Sequence, residues 1–362
     1  MHMTESHAEK QPIVKDVPFC ASSFLMFRTI ADPSRGFADG LAPRIWDDRR
    51  ELNPVTSAEE LVEALRARIQ IACAGKKPAL ALSGGIDSAI LAKLMPKDTI
   101  AYTFKCVVPG KQVTDESQRA ATYAKECGLE HRIVEVYWED FEEFAPVLMK
   151  HKRSPMHSIE VQIYKAALRA KEDGRDLFVF GESADLNYGG LSDLLSKERT
   201  MGEFIDRYNY VQPHHVLKDP RYVMDPYRTY AREDGTFDTH EFCRGFFLKE
   251  AMGSYSNACG TAGMELETPY VYTWLGSPID LERIRRGENK YLVREAFDLL
   301  YPGWEIPKKT PMPRPMNEWM ESWEGPTRPE FWTHCIDGMT GDQKWLVWAL
   351  ERFLDLVDGR MC

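Results

Sequence analysis

Residues 78–95 read PALALSGGIDSAILAKLM, which is a short apolar run, a turn rich in glycine and serine, and a second apolar run. The first run, 78–82, has the length and composition of a strand buried on both faces, as in a parallel sheet. The second run begins a helix at Ala89. A turn between such a strand and helix directs several backbone N–H groups and the positive end of the helix dipole at one point. The stretch therefore predicts a strand–loop–helix unit whose turn binds an anion.

The turn, SGGIDS, has the residue types that a phosphate group requires. Gly84 and Gly85 let the backbone approach an anion closely, and the hydroxyls of Ser83 and Ser88 add hydrogen-bond donors. No lysine follows the glycines, so the turn is not a Walker A loop and does not indicate γ-phosphate transfer. Asp87 would repel a bare phosphate, but it fits if it carries Mg²⁺ on a pyrophosphate group. The alternative is a plain glycine-rich turn.

The alternation of strand and helix continues on both sides of this unit. Helices are predicted at 57–71, 114–128 and 159–172, and strands at 100–107, 132–137 and 176–180. This alternation indicates an α/β fold with a parallel sheet and helices on both faces, which binds ligands at the carboxyl ends of its strands. After about residue 195 the pattern is mostly helical, with helices predicted near 200–210, 240–256, 277–286, 290–300 and 342–356. Residues 1–20 are expected to form a flexible arm, and 21–50 to contain a strand or two.

The composition is that of a globular chain rather than of a nucleic-acid-binding or membrane protein. Its 46 Lys and Arg residues and 56 Asp and Glu residues give a net charge of −10, whereas polyanion binders usually show a basic face. No apolar run is long enough to span a membrane, and the N-terminus lacks the apolar segment of a secretory signal, so we expect a cytoplasmic location. The eight cysteines show no CxxC or zinc spacing and are expected to be reduced, mostly buried thiols.

Several motifs along the chain resemble those of a known family. SGGIDS matches the PP-loop of the ATP pyrophosphatases, and later segments resemble the asparagine synthetase branch of that family. These segments are Asp115-Glu116 with Ala120, Ala124 and His131, then GESADLNYGG at 181–190, ETPY at 267–270, NKYLVR at 289–294 and PKK at 307–309. The resemblance covers about residues 57–315 and implies an adenine nucleotide alpha hydrolase-like fold. The chain departs from the family at Ser183, where the family has glycine, and at Leu186, where it has glutamate.

The resemblance also implies a domain organisation. Residues 1–56 form an arm and a small scaffold region, and 57–362 form the synthetase-like ATP-pyrophosphatase domain. Within that domain, 57–195 is the nucleotide-binding α/β core and 196–362 is a mostly helical part that shapes the substrate site. Family members of the amidotransferase type begin with a glutamine-hydrolysing domain, which the residues before the loop are too few to form. Nitrogen is therefore expected from ammonia, a substrate amine or a separate glutaminase.

The family motifs assign a role to each site residue. The residues expected to bind ATP are Ser83, Gly84, Gly85, Asp87, Ser88, Gly181 and Arg294. Asp87 and Asp185, which follow two different strands, are expected to hold one Mg²⁺ between them. The expected catalytic residues are Lys308, Lys290 and Glu182. Lys308 would stabilise the charge that develops as pyrophosphate leaves, Lys290 would face the phosphates, and Glu182 would orient the amine or act as general base.

Each of these assignments has a plainer alternative. Asp185 would then cap a turn, and Lys308 and Lys309 would be a solvated pair in a proline-rich loop. If one of these lysines is catalytic, the sequence does not decide which of the two points inward. Lys290 and Arg294, four residues apart on one helix face, would be surface charges. Asp115 and Glu116, which open a helix, would only favour the helix dipole.

The expected function is that of an ATP-dependent, AMP- and pyrophosphate-forming amide synthetase, a carbon–nitrogen ligase that uses no glutaminase in cis. The family implies that a substrate carboxylate attacks the α-phosphorus of ATP and that ammonia or an amine then displaces AMP. The expected partners are a small-molecule carboxylate, the amine, and optionally a separate glutaminase or carrier protein; nucleic acid and membrane are not expected. One alternative is a PP-loop enzyme that inserts sulfur or nitrogen into a nucleobase, tRNA or carrier protein. Another is a degenerate nucleotide sensor.

Overall fold

The computed structural model describes residues 13–48, 50–308 and 312–359. Its strands are β1 (Val14–Lys15), β2 (Arg35–Gly36), β3 (Asn53–Val55), β4 (Pro78–Ala81), β5 (Ile100–Cys106), β6 (Glu130–Val136), β7 (Leu177–Val179), β8 (Glu265–Glu267) and β9 (Thr273–Leu275). Its α-helices are α1 (Val17–Phe27), α2 (Ala58–Cys73), α3 (Ile86–Leu94), α4 (Ser117–Cys127), α5 (Trp138–Lys152), α6 (Ile159–Glu172), α7 (Ala184–Asn187), α8 (Ser192–Leu195), α9 (Met201–Tyr208), α10 (Pro213–Val216), α11 (Asp225–Arg228), α12 (Thr239–Phe242), α13 (Leu248–Ala262), α14 (Leu281–Arg285), α15 (Tyr291–Leu300), α16 (Met316–Trp319) and α17 (Gly341–Val357). A π-helical turn, Cys243–Phe247, joins α12 to α13, and a 3₁₀ turn spans Pro269–Tyr272.

Five parallel strands form the main sheet, in the order β6-β5-β4-β7-β8. The central strand β4 therefore delivers the SGGIDS turn to the middle of the carboxyl edge of the sheet, where ligands of such folds bind. The predicted α/β class with a parallel sheet is confirmed. Two short parallel pairs, β1 with β2 and β3 with β9, lie outside this sheet.

Each face of the sheet is covered by its own layer of helices and its own apolar core. Neighbouring residues of β4 point to opposite faces, as a strand requires, because Ala79 belongs to one core and Leu80 to the other. The core that includes Leu80 is built with α2, α3, α4 and α15. The core that includes Ala79 is built with α1, α5, α6, α13 and α17. Helices thus lie on both faces, as predicted.

Several elements begin or end where local sequence signals place them. Helix α6 has the predicted bounds, and Ser57 caps α2 by accepting a hydrogen bond from the backbone N–H of Glu60 at 3.2 Å. Gly128 ends α4 with a left-handed backbone, φ 65°. The helix after the glycine turn begins earlier than predicted, at Ile86 rather than Ala89, so that Asp87 lies in its first turn.

The N-terminal prediction was wrong in part: β2 lies within 21–50, where a strand or two was expected, but helix α1 was not expected. Residues 1–12 of the expected arm lie outside the described residues. Residues 17–27 form helix α1, not an arm followed by a strand. The side chain of Asp16 caps it by accepting a hydrogen bond from the N–H of Phe19 at 3.1 Å, and Pro18 lies at its start, where proline is tolerated. Every residue from Cys20 to Phe27 is buried. A helix that is apolar on all sides shows no helical period, so its sequence is easily taken for a strand.

The sequence patterns also missed several elements, among them α5 and β8. Helix α5 follows β6 directly, and the fifth strand, β8, comes from a three-residue segment that lies outside 57–195. The seven cysteines of the described segments are all buried and free, as expected. None of the helices in the described part of the chain combines the length and apolar character that a membrane crossing requires.

Candidate active site

The glycine-rich turn is held by its own serines. The Ser88 hydroxyl accepts a hydrogen bond from the N–H of Ser83 at 3.0 Å and lies 3.0 Å from the Ser83 hydroxyl. The N–H of Gly85 in turn donates to the Ser83 hydroxyl at 3.1 Å. Gly85 is the N-cap of α3, and no side chain caps this helix. The first turn of α3 therefore retains N–H groups that can donate hydrogen bonds to an anion.

Two glycines lie where neighbouring groups leave little room for a side chain. A Cβ at Gly84 would lie 3.2 Å from the Glu116 side chain, and a Cβ at Gly181 would lie 3.1 Å from the N–H nitrogen of Ser88. Glu116 accepts a hydrogen bond from Gly84, while Arg119 donates to the Gly84 carbonyl at 3.3 Å. Burial raises the pKa of Glu116, and the hydrogen bond from Gly84 opposes this rise. Glu116 thus stabilises the turn, which is a role beyond the favourable contact with the helix dipole that the alternative allowed.

Three charged side chains meet in front of the turn, and we call them the charged triad. The Lys290 ammonium lies 2.9 Å and 2.7 Å from the two carboxylate oxygens of Asp87 and 2.9 Å from one oxygen of Asp185. Burial alone would lower the pKa of Lys290, but the two carboxylates raise it. Lys290 is the N-cap of α15 and has a left-handed backbone, φ 52°, so it lies just before the helix that was predicted to include it. From this position its ammonium contacts both carboxylates.

The two carboxylates of the triad fit a single Mg²⁺ ion. Oxygens of Asp87 and Asp185 both lie within 2.9 Å of one point, the Lys290 nitrogen, so one cation can contact both carboxylates. Mg²⁺ is usually held by one or two carboxylates together with water and substrate phosphates. Within 13–48, 50–308 and 312–359 no cluster of three or more His, Cys, Asp or Glu side chains could hold a metal.

A small cavity of about 200 Å³ opens beside the turn and contains Glu182. Burial raises the pKa of Glu182, and a hydrogen bond from the Tyr255 hydroxyl, on α13, opposes this rise. Phe104 and Phe180 give the cavity apolar walls. The sequence predicted Glu182 but missed Tyr255, since no motif includes that tyrosine and only the packing of α13 brings it there.

A larger cleft of about 1140 Å³ contains the triad. Lys308 and Arg294 line this cleft together with Ser83, Gly85 and Asp87, so the structure brings these predicted residues to one place. Lys308 is exposed. Lys309, the other lysine of the predicted pair, lies outside the described residues.

The two departures from the family pattern have different consequences. Ser183 takes a left-handed backbone, φ 77°, a conformation that glycine adopts without strain. Leu186 is 3% exposed and packs into the main apolar core, so it faces away from the cleft. Glu160 is another acid that could serve as a base by residue type alone. Its side chain is fully buried, and its carboxylate lies 2.6 Å from the Lys152 ammonium, so it forms a structural ion pair.

Comparisons with known proteins assign the chain to a family. Residues 57–250, more than half of the chain, match the family model for asparagine synthase. No curated protein sequence matches significantly. The chain is similar to the NH3-dependent NAD synthetase from Campylobacter jejuni, with 19% identity over 37% of this chain and 61% of that one, at a TM-score of 0.26. It is also similar to NMN synthetase from Francisella tularensis, with 13% identity over 68% of this chain and 94% of that one, at a TM-score of 0.28. The chain thus spans less than two thirds of the NAD synthetase.

Proposed function

The chain belongs to the asparagine synthase family, and we propose from this premise that it is a carbon–nitrogen ligase that forms AMP and pyrophosphate. It would adenylate a substrate carboxylate and let ammonia or a substrate amine take the acyl group. The family match supports an ATP-dependent synthetase, and the arrangement of the site supports the finer statement. The glutaminase-independent use of ammonia or an amine is part of the proposal.

The charged triad is the observation that carries this proposal. Asp87 and Asp185 come from two different strand ends, yet Lys290 contacts both of them next to the uncapped start of α3. A helix N-terminus attracts phosphate oxygens, and a pair of carboxylates attracts the cation that accompanies a polyphosphate. The helix start and the two carboxylates together fit a nucleoside triphosphate with its cation better than either a bare anion or a lone metal ion.

The residues around the turn would divide the work of the first step. Backbone N–H groups of 84–88 hold the two outer phosphates, and Lys290 and Lys308 balance the charge that builds up as the α–β bond breaks. Mg²⁺, when bound at Asp87 and Asp185, supplies further neutralisation of the leaving pyrophosphate. A carboxylate oxygen of the substrate forms the new bond to the α-phosphorus. The product is an acyl-adenylate. AMP is a good leaving group from its acyl carbon in the next step.

Glu182 would take part in the second step. The attacking nitrogen forms the C–N bond, the C–O bond to AMP breaks, and the nitrogen gives up a proton. Burial raises the pKa of Glu182, which brings this carboxylate closer to the range in which a general base is effective at neutral pH. Tyr255 fixes its orientation through their hydrogen bond.

Two ATP analogues test which phosphate bond is broken. With a carboxylate substrate that is turned over, AMP-PNP, which resists β–γ cleavage, should still yield AMP and imidodiphosphate. AMPCPP, whose α–β bridge is carbon, should bind and inhibit. ADP and orthophosphate as the products from ATP would contradict the proposal.

A substitution tests the metal-binding assignment in the same assay. Asp87→Asn should lower kcat roughly 100-fold, since it removes one of the two carboxylates that would hold the Mg²⁺ on the leaving pyrophosphate. The exposed Asp39, changed to Asn, is the matched control and should keep full activity. Full activity of the Asp87→Asn variant would remove Asp87 from the mechanism.

A further inference from the structure

Part of the wall of the large cleft is aromatic. Tyr208, Tyr210 and Phe247 line this part. The ring of Tyr208 lies 5.4 Å from that of Tyr210 and 5.7 Å from that of Phe247, measured between centroids. The three side chains therefore form one continuous aromatic surface, and we call it the aromatic wall.

An arginine from the N-terminal helix holds this wall in place. The Arg28 guanidinium lies 3.9 Å from the Tyr210 ring centroid, at the distance of a cation–π contact. Its two terminal nitrogens are held by the Nε2 atom of His157 and by a carboxylate oxygen of Glu250, each at 2.9 Å. From the other side, the Gln343 amide donates to the Tyr210 carbonyl at 3.0 Å. A ring fixed in this way loses little further freedom when a ligand packs on it.

The polar groups beside the aromatic wall are already committed to protein partners. These pairs are Arg207 with Asp193 at 3.6 Å, Asp342 with Arg314 at 3.3 Å, and the Asn209 side chain with the Tyr227 hydroxyl. Arg28 is neutralised by Glu250. A second charged group on a small acid, such as aspartate, would compete with these partners. A flat apolar ring would not.

The size of the cleft agrees with a substrate that has such a ring. Ligand pockets usually measure roughly 300–1,000 Å³, and this cleft measures about 1140 Å³ in addition to the small cavity around Glu182. A triphosphate and a small amino acid would fill less of this space than a triphosphate and an acid that bears a ring. Tyr208 is 5% exposed and belongs to the core, whereas Tyr210 and Phe247 are half-buried side chains that line the cleft. Aromatic side chains that line a cleft are typical of ligand contacts.

We propose, on the basis of the proposed function, that the acyl substrate is a carboxylic acid that bears a planar aromatic ring. The ring packs against Tyr210 and Phe247, and the carboxylate reaches Lys308 and the triad, which line the same cleft. The N-terminal segment before residue 57 thus contributes to substrate choice, because Arg28 fixes Tyr210.

A substrate series tests this proposal. AMP formation from ATP is measured with phenyl-substituted acids from benzoate to 4-phenylbutanoate, with the matching cyclohexyl acids, and with L-aspartate, each with ammonia. The best phenyl acid should exceed both its cyclohexyl counterpart and L-aspartate in kcat/KM, the latter at least tenfold. If L-aspartate is the better substrate and the phenyl acids are inert, the aromatic substrate is excluded while the ligase function stands. If no acid supports AMP formation, the proposed function itself fails.

Variants of the aromatic wall connect the preference to the structure. Tyr210→Leu should raise KM for the phenyl acid roughly tenfold, the effect of one lost aromatic contact, and leave KM for ATP unchanged. Tyr210→Phe should keep the affinity, and Tyr222→Leu, at a tyrosine that is 71% exposed, is the control. Should Tyr210→Leu fail to fold, Phe247→Leu makes the same test. An unchanged KM for the phenyl acid in a folded variant would overturn the proposal.

Discussion

Lys290 holds two carboxylates together at the position where the proposed function requires a metal ion. The side chain of Lys290 is 8% exposed, while those of Asp87 and Asp185 are 21% and 30% exposed. Lys290→Met should therefore cost about 2 kcal/mol of unfolding free energy, less than for a fully buried pair, because the two carboxylates are left facing each other. Mg²⁺ can replace the lost charge, so adding it should raise the melting temperature of the variant more than that of the wild type.

Thermal denaturation with and without Mg²⁺ measures this difference without reference to activity. Lys111→Met removes a surface partner of Glu321 and is the matched control, since an exposed pair contributes little to stability. An equal effect of Mg²⁺ on wild type and Lys290→Met would mean that the ion binds elsewhere.

Glu182 should make both activity and stability depend on pH in opposite directions. Because burial raises its pKa, this carboxyl group binds its proton more tightly in the folded chain than in the unfolded one. The free energy of unfolding should then fall as pH rises from the usual glutamate pKa through the raised one. Turnover should rise over the same interval, because the ionised form is the base.

Glu182→Gln checks both expectations. It should lower kcat roughly 100-fold, flatten the acidic limb of the pH–rate profile, and reduce the pH dependence of the unfolding free energy. Part of that dependence should remain, since burial also raises the pKa of Glu250. A pH–rate profile that keeps its acidic limb in this variant would assign the limb to another group.

Helix α1 is joined to the rest of the chain by a buried ion pair, and this pair predicts how the element responds to substitution. Arg28, at the end of α1, lies 2.9 Å from Glu250 in α13, and the Glu250 side chain is 1% exposed. Arg28→Met should lower the free energy of unfolding by roughly 3–5 kcal/mol, because Glu250 is left buried without its partner. The double variant Arg28→Met, Glu250→Gln should recover part of this loss. Urea denaturation of the wild type, the two single variants and the double variant measures the coupling energy. Strictly additive losses of unfolding free energy would contradict the ion pair.

Elements with a local signal were predictable from the sequence, and those defined by distant partners were not. The SGGIDS turn, α6 and the end of α4 at Gly128 depend on neighbours in sequence. Strand β8 has three residues and becomes a strand only because β7 lies beside it. Helix α1 is apolar all round, so its period could not be seen.

The candidate site divides in the same way. The residues of the turn and of the segment 181–190 are contiguous, and motifs identify them. Tyr255 reaches the site from α13, and Arg28 reaches the cleft from α1. Such contacts follow from packing, which no stretch of sequence displays by itself.

At the scale of the whole molecule, the region that matches the family does not contain a complete core. Residues 57–250 include β4 to β7 but not β8, and they lack α15 and α17. Leu292, Val293 and Phe297 of α15 fill one core, while Trp345 of α17 belongs to the other. Without them both faces of the sheet lose apolar partners, and the edge of β7 is left unpaired.

We therefore expect a fragment of residues 57–250 to lack a cooperative unfolding transition, whereas a fragment of 13–359 should unfold in one transition, as a single cooperative unit does. Near-ultraviolet circular dichroism on heating measures this, because it reports fixed packing around aromatic side chains. The 57–250 fragment should also fail to gain stability from AMPCPP and Mg²⁺, because it lacks Lys290 and its charged triad is therefore incomplete. A sharp transition of the fragment at the melting temperature of the longer chain would show that the C-terminal third only adds to a finished domain. In that case the dependence of the site on Lys290 would have to be explained by binding alone and not by folding.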